Sequence, residues 1–267
     1  MTKSRPEIPL YTTPIIETHF HLDYLKYLSN DEIVNLSLKQ NIEKMITIAV
    51  SPDNLDTVIA LAEKYPNIFC TQRIHPHNAK DWNLDVKNNI LNNLKNKKVV
   101  AIGEIGLDYH YSKSPKENQI AAFEEQLQLA VDFNLPAIIH TRDADEDTIA
   151  IIKNFAPLLK RGAVIHSFTS GLELAKFAIE LNFYIGFNGI ITFKNAQNVR
   201  DALHLTPVEN ILLETDAPFL TPDPYRGVEN APYYLPFVAK KIAAEKNIEV
   251  EDLLKQTFIN TKKLFHF

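Results

Sequence analysis

Eight short β-branched runs alternate with longer amphipathic stretches along the whole chain, and this alternation constrains the fold more than any other feature. The runs are "PIIET" (14–18), "KMITIAV" (44–50), "IFCTQRI" (68–74), "VVAIG" (99–103), "PAIIH" (136–140), "AVIH" (163–166), "FYIGF" (183–187) and "NILLE" (210–214). Each is almost continuously apolar, as expected of parallel strands covered on both faces. The stretches between them carry helix signals. Ser51 followed by Pro52 reads as an N-cap and first-turn pair. Ser114, Pro115 and Glu117 read as a capping box opening a long helix with Ile120, Phe123, Leu127, Ala130 and Val131 at helical spacing.

Strands alternating with helices leave two architectures, an open doubly wound sheet or a closed (β/α)8 barrel. No G-x-G-x-x-G follows the first strand, and eight repeats suit the barrel. With 267 residues the chain can fill a single large barrel. The expected organisation is a short N-terminal extension, residues 1–13, and one α/β domain, residues 14–267. A single cysteine, Cys70, excludes an internal disulfide and suits a reducing cytoplasm. The N-terminal stretch lacks an apolar signal core, and no run approaches a membrane span. The net charge of −5 does not advertise nucleic-acid binding, so an anionic substrate would be held by a few cations or by a metal.

In barrels of this kind, chemistry sits at the carboxyl ends of the strands. His19 and His21 follow the first run, two apart and therefore on one side of an extended backbone. Glu104 follows the fourth run, His140 ends the fifth, His166 ends the sixth, and Asp216 lies just beyond the eighth. Singly, each has an ordinary explanation. His140 or His166 could be a core histidine bonded to a carbonyl, Glu104 a helix cap or ion-pair partner, and Asp216 a turn residue. Jointly, six metal-ligating groups at equivalent places point to a metal centre at the carboxyl ends of the strands. Four imidazoles and two carboxylates exceed one tetrahedral zinc and fit two divalent ions. The expected arrangement places His19, His21 and Asp216 on one ion, His140 and His166 on the other, and Glu104 between them. Such a donor set accepts Mg, Mn, Fe or Zn.

The segments "ETHFHLD", "HPHNA", "GEIGLDYHY", "QLQLAVDFNLPAIIHTRDA", "VIHSFTSG", "ETDAPFLTP" and "RGVENAPYYL" run in order from residue 15 to about 240. In these the chain resembles the TatD-type metal-dependent deoxyribonucleases, relatives of the amidohydrolase superfamily. The resemblance implies a (β/α)8 barrel and hydrolysis of DNA phosphodiesters, by trimming 3′ ends or cutting at abasic sites, with single-stranded DNA or 3′ ends as partner. It puts the six ligands on the family's metal positions and gives catalytic roles to Glu104, Asp216, His75 and Glu214. His75 would stand near the scissile phosphate, and Glu214 beside the metal-binding Asp216. The sequence departs from the family pattern at three places. Glu17 stands where Asp is usual, Arg73 precedes His75 where Gly is usual, and Val228, Glu229 and Ala231 interrupt a stretch that is commonly more cationic.

Arg73, Arg142 and Arg226 are the candidate phosphate contacts, although Arg142 could pair with Asp143 or Asp145, and Arg226 with Glu229. Together with other basic residues at the mouth they suggest about two to four phosphates engaged. Tyr109, Phe168 and Phe187 could stack on unpaired bases or simply pack the barrel. A metal-dependent nuclease is the leading reading. The alternative is a hydrolase of a lactone, cyclic amide or aminoacyl ester on the same scaffold. A metal that only holds the fold comes third, because closed structural sites favour four Cys or His ligands.

Overall fold

The computed structural model describes residues 5–267, so residues 1–4 of the expected N-terminal extension lie outside it. Eight strands form one sheet in strict sequence order, each parallel to the next. They are β1 Ile15–Phe20, β2 Ile42–Thr47, β3 Ile68–Gln72, β4 Val99–Asp108, β5 Ala137–Arg142, β6 Ala163–Ile165, β7 Tyr184–Phe187 and β8 Ile211–Leu213. Closure between β8 and β1 comes at their carboxyl ends. The Thr18 hydroxyl donates to the Leu213 carbonyl (3.0 Å), Asp216 N–H to His19 O (2.9 Å), and His21 N–H to Ala217 O (2.8 Å). The result is a nearly closed barrel with helices packed around it, the architecture expected from the alternating pattern.

Each β–α unit after β1 to β7 supplies one covering helix: α1 Asn30–Lys39, α2 Leu55–Lys64, α3 Leu84–Asn93, α4 Lys116–Asp132, α5 Asp145–Phe155, α6 Leu172–Glu180 and α7 Gln197–Leu205. After β8 come two, α8 Leu235–Lys246 and α9 Val250–Phe265. Inside the barrel, Ile138, Val164 and Leu212 belong to a compact apolar cluster with Ile46 and Tyr184, plugged from below by Leu264 and Phe265 of α9. Side chains two apart on a strand share a face. His140, His166 and Glu214 therefore stand one layer above Ile138, Val164 and Leu212, which form a dry floor.

One local expectation needs correction and another is refined. The capping box at Ser114 does not form. Its hydroxyl accepts from Lys80 N–H (3.1 Å) and donates to His77 O (2.8 Å), and α4 begins at Lys116 without a side-chain cap. Ser114 thus braces the loop after β3. Ser51 and Pro52 are the N-cap and first-turn pair expected, but they open a short 3-10 turn, Pro52–Asn54, that leads into α2. Asn54 Oδ1 accepts from Val50 and Ser51 N–H, which fixes that turn.

Strand β4 is the largest surprise. The sequence suggests an end at Gly103, but the strand runs on to Asp108, so Glu104 lies within it rather than beyond it. Ile105 and Leu107 continue the apolar face and are fully buried. Gly106 pairs with His140 of β5 at positive φ (142°), and a Cβ there would fall on the His140 carbonyl. What reads as a turn is a strand that only glycine lets lie so close to its neighbour.

Candidate metal centre

The barrel's carboxyl end gathers all six expected ligands around Glu104. Its Oε1 faces His140 Nδ1 (2.8 Å), His75 Nε2 (3.5 Å) and His166 Nε2 (3.7 Å). Its Oε2 faces Arg73 Nη2 (2.9 Å) and His19 Nε2 (3.4 Å). Asp216 Oδ1 lies 3.5 Å from His21 Nε2 and 3.8 Å from the Nε2 atoms of His19 and His166. The imidazoles of His19 and His166 stack with centroids 3.4 Å apart. Three donor clusters are close enough to embrace a cation: His19, His21 and Glu104; His19, His166 and Glu214; and His75, Glu104 and His140. The last puts His75 beside His140, where the sequence suggested His166.

Second partners orient the rings. His21 Nδ1 faces the Ile48 carbonyl (3.3 Å), His166 Nδ1 faces Glu214 Oε2 (3.0 Å), and His140 Nε2 faces Asp108 Oδ2 (3.2 Å). The acceptors at His21 and His166 each place a proton on Nδ1 and leave Nε2 facing the centre, whereas His140 has a carboxylate at both nitrogens, Asp108 at Nε2 and Glu104 at Nδ1. His75 Nδ1 accepts from His77 N–H (3.1 Å), which places its own proton on Nε2, facing the cavity. His19 differs from all of these. It is fully buried, and among the described residues neither ring nitrogen has a hydrogen-bond partner. An imidazole so placed has lost water without compensation, unless a cation supplies it. The donor chemistry therefore fits divalent metal.

Electrostatics agree with that fit. Burial pushes His19 down to about 3, helped by the facing His166, and burial likewise holds His75 down at about 3. Both are neutral at pH 7, the form that lets His19 ligate metal and lets His75 keep its single proton on Nε2. Burial opposes charge on His166, but Glu214 and Glu104 outweigh it and lift the group to about 9 in the metal-free chain. Burial also opposes ionisation of Glu104, yet His166, Arg73 and His75 hold its carboxyl well below the usual range. Asp216 is lowered against its burial by His21, His166 and His19, and Asp108 against its own by His140 and His77. Glu17 goes the other way, raised to about 8 by burial. Its Oε1 accepts from His19 and Thr215 N–H (2.9 Å each), so it ties the metal-binding ends of β1 and β8 together.

Glu214 is wedged between β8 and β7. It accepts from His166 and from Ser167 N–H (2.6 Å), and a Cβ at Gly186 would overlap its carboxylate. Glycine at that point makes the room.

The substrate candidates divide differently from expectation. Arg142 lines a cavity of about 720 Å³ above the ligands, with its guanidinium over the Tyr111 ring. It pairs with neither suggested acid, since Asp143 meets His110 (2.9 Å) and Asp145 accepts from Gly171 N–H. Arg73 is not at the mouth. It is fully buried, lines the cavity from within and is bound to Glu104. Arg226 is exposed over the Phe193 ring and does not line the cavity. Glu229 leaves it alone and accepts from the N–H groups of Lys26 and Tyr27. Phe168 and Phe187 are buried in the core, which rules out base stacking, while Tyr109 donates to Asp147 (2.7 Å).

Sequence reading missed Asp108, which holds both His140 and His77 (2.9 Å), and the exposed pair Tyr111 and Lys113 on the cavity rim. Asp108 was discoverable, because the alternation of Ile105 and Leu107 carries β4 to it. Nothing in the sequence marks Lys113.

A model of the family described as TatD related DNase matches residues 16–266. Over 252 residues the chain is 36% identical to the uncharacterized metal-dependent hydrolase YabD of Bacillus subtilis, covering 94% of this chain and 98% of the relative. It is 33% identical over 242 residues to a 3′-5′ ssDNA/RNA exonuclease TatD from Erwinia amylovora, covering 88% and 93% respectively. The crystal structure of YjjV, a TatD homologue from Escherichia coli, superposes with a TM-score of 0.88 at 30% identity over 95% of this chain and 98% of that one.

Proposed function

The chain belongs to the TatD-related DNase family and is a metal-dependent hydrolase, and from that premise we propose that it hydrolyses phosphodiester bonds at the 3′ ends of single-stranded DNA. The observation that carries the metal chemistry is the doubly unpartnered His19 within a buried ring of imidazoles around Glu104. Substrate choice rests on the likeness to a relative named as a 3′-5′ ssDNA/RNA exonuclease and on a cavity large enough for a nucleotide. His19, His21 and Asp216 would hold one divalent ion, His140 and His166 a second, with Glu104 shared. When bound, the ions supply a water activated at neutral pH and positive charge against the phosphoryl oxygens.

The chain's own residues set up the rest. His75 presents its Nε2 proton to the cavity and can donate it in a hydrogen bond to a phosphate oxygen. Glu214 and Asp108 fix the rotations of His166 and His140. Arg142 and Lys113 flank the half-exposed Tyr111 and offer charge to the phosphate next along the strand. The dry floor of Ile138, Val164 and Leu212 keeps water from reaching the centre from below.

The deciding experiment is a metal-supplemented assay on 3′-labelled single-stranded DNA, run beside lactone, cyclic amide and ester panels. Stepwise release of 3′ nucleotides, abolished by chelator, is expected. Turnover of an ester or lactone with inert DNA would replace this reading with the small-molecule one.

A further inference from the structure

The two oxygens of Glu104 have different surroundings. Oε1 meets imidazoles only, those of His140, His75 and His166. Oε2 meets His19 and, at 2.9 Å, the guanidinium of Arg73. Arg73 is fully buried, and among the described residues its Nε and Nη1 have no hydrogen-bond partner, so Glu104 is its bonded counter-charge, with Asp216 attracting it less strongly. The chain thus carries a fixed cation two residues before His75, against the carboxylate at the centre of the site.

We propose that Arg73 makes the two cation positions unequal, so that the ion held on the His140 side of Glu104 binds tightly and the ion on the His19 and His21 side binds weakly. The inference rests on the two-ion reading above. A buried monocation beside a dication is repelled far more strongly than it would be in water, because little solvent lies between them to screen it. Arg73 also occupies one lone-pair direction of Oε2, the oxygen through which Glu104 would reach the weaker ion. The same contact keeps Glu104 ionised and in place before any metal arrives. The tight site is thereby built in advance, while the other fills only as metal concentration rises or as an anionic substrate adds charge.

Manganese titration of the chelator-stripped protein, by calorimetry with electron paramagnetic resonance of the bound ion, tests this without any assay of activity. The wild-type chain is expected to take one ion tightly and a second at least about tenfold more weakly. Arg73→Met, which keeps bulk and removes charge, should tighten the second ion about tenfold or more and leave the first nearly unchanged. Arg73→Lys should keep the gap. If Arg73→Met does not fold, Arg73→Gln carries the same comparison. Two ions of equal affinity in the wild-type chain would overturn the proposal and leave the two-ion centre standing, as would a neutral variant that titrates like wild type. A single ion in both wild type and the neutral variant would instead overturn the two-ion reading, and this inference with it.

Discussion

Binding of single-stranded DNA by a Glu104→Gln variant should weaken only modestly as salt rises, because few cations among the described residues face the cavity. Arg142 and Lys113 line it, both close to Tyr111. Other basic groups are engaged or remote. Arg73 is bound to Glu104, Lys116 to Asp147 (2.7 Å), and Arg226 lies over Phe193. The broader count suggested by sequence therefore narrows to about two phosphates. A single strand releases roughly 0.7 counterion per phosphate neutralised, giving a log–log slope of about −1.4. Between about 50 and 200 mM salt the affinity should fall roughly sevenfold by that relation. Adding Arg142→Ala should halve the slope to about −0.7, a loss of roughly threefold over the same range. Fluorescence anisotropy of labelled oligonucleotide at fixed excess metal measures both values. No detectable affinity at low salt would refute the nucleic-acid reading. A slope near −6 would refute the charge count, exposing a basic track away from the cavity.

Glu214→Gln should lower metal affinity by about 10- to 100-fold while the fold persists, because His166 loses the carboxylate that sets its rotation; unchanged calorimetric affinity would remove Glu214 from the centre. In chelated protein, thermal stability should peak near pH 6 and fall on both sides. His19 and His75, held at about 3 against 6.5 when unfolded, stay neutral in the fold while the unfolded chain takes up protons, so acidification below about 6.5 costs stability. His166 at about 9 and Glu17 at about 8 hold protons that the unfolded chain releases, so their stabilisation disappears as pH rises through those values. Melting curves from pH 4.5 to 8.5 test the sign, and a steady rise across the range would contradict it. Saturating metal should remove the His166 part of the alkaline limb, since ligation takes the place of that proton, and leave the part that belongs to Glu17.

The barrel and its metal-binding end were legible because both depend on period-two and period-3.6 patterns, which are properties of the backbone rather than of any neighbour. Eight apolar runs dictate eight buried strands, and a ligand placed just after or two positions beyond an inward-facing apolar residue must rise on the same side of the barrel. That is why His140 above Ile138 and His166 above Val164 could be named in advance. Strand β4 escaped because Gly106 looks like a breaker until β5 is seen to press against it. Asp108 went with it. The three arginines show the limit most clearly. In sequence Arg73, Arg142 and Arg226 are equivalent cations near motif residues, yet one is sealed beneath Glu104, one opens on the cavity, and one lies on an outer aromatic face. A long flexible stem separates a guanidinium from its backbone, so its destination is set by which groups, far away in the chain, leave room or offer a counter-charge. Sequence determined where the candidate ligands are mounted; only the tertiary structure decided which charges reach them, because a strand's pleat is local and an electric field is not.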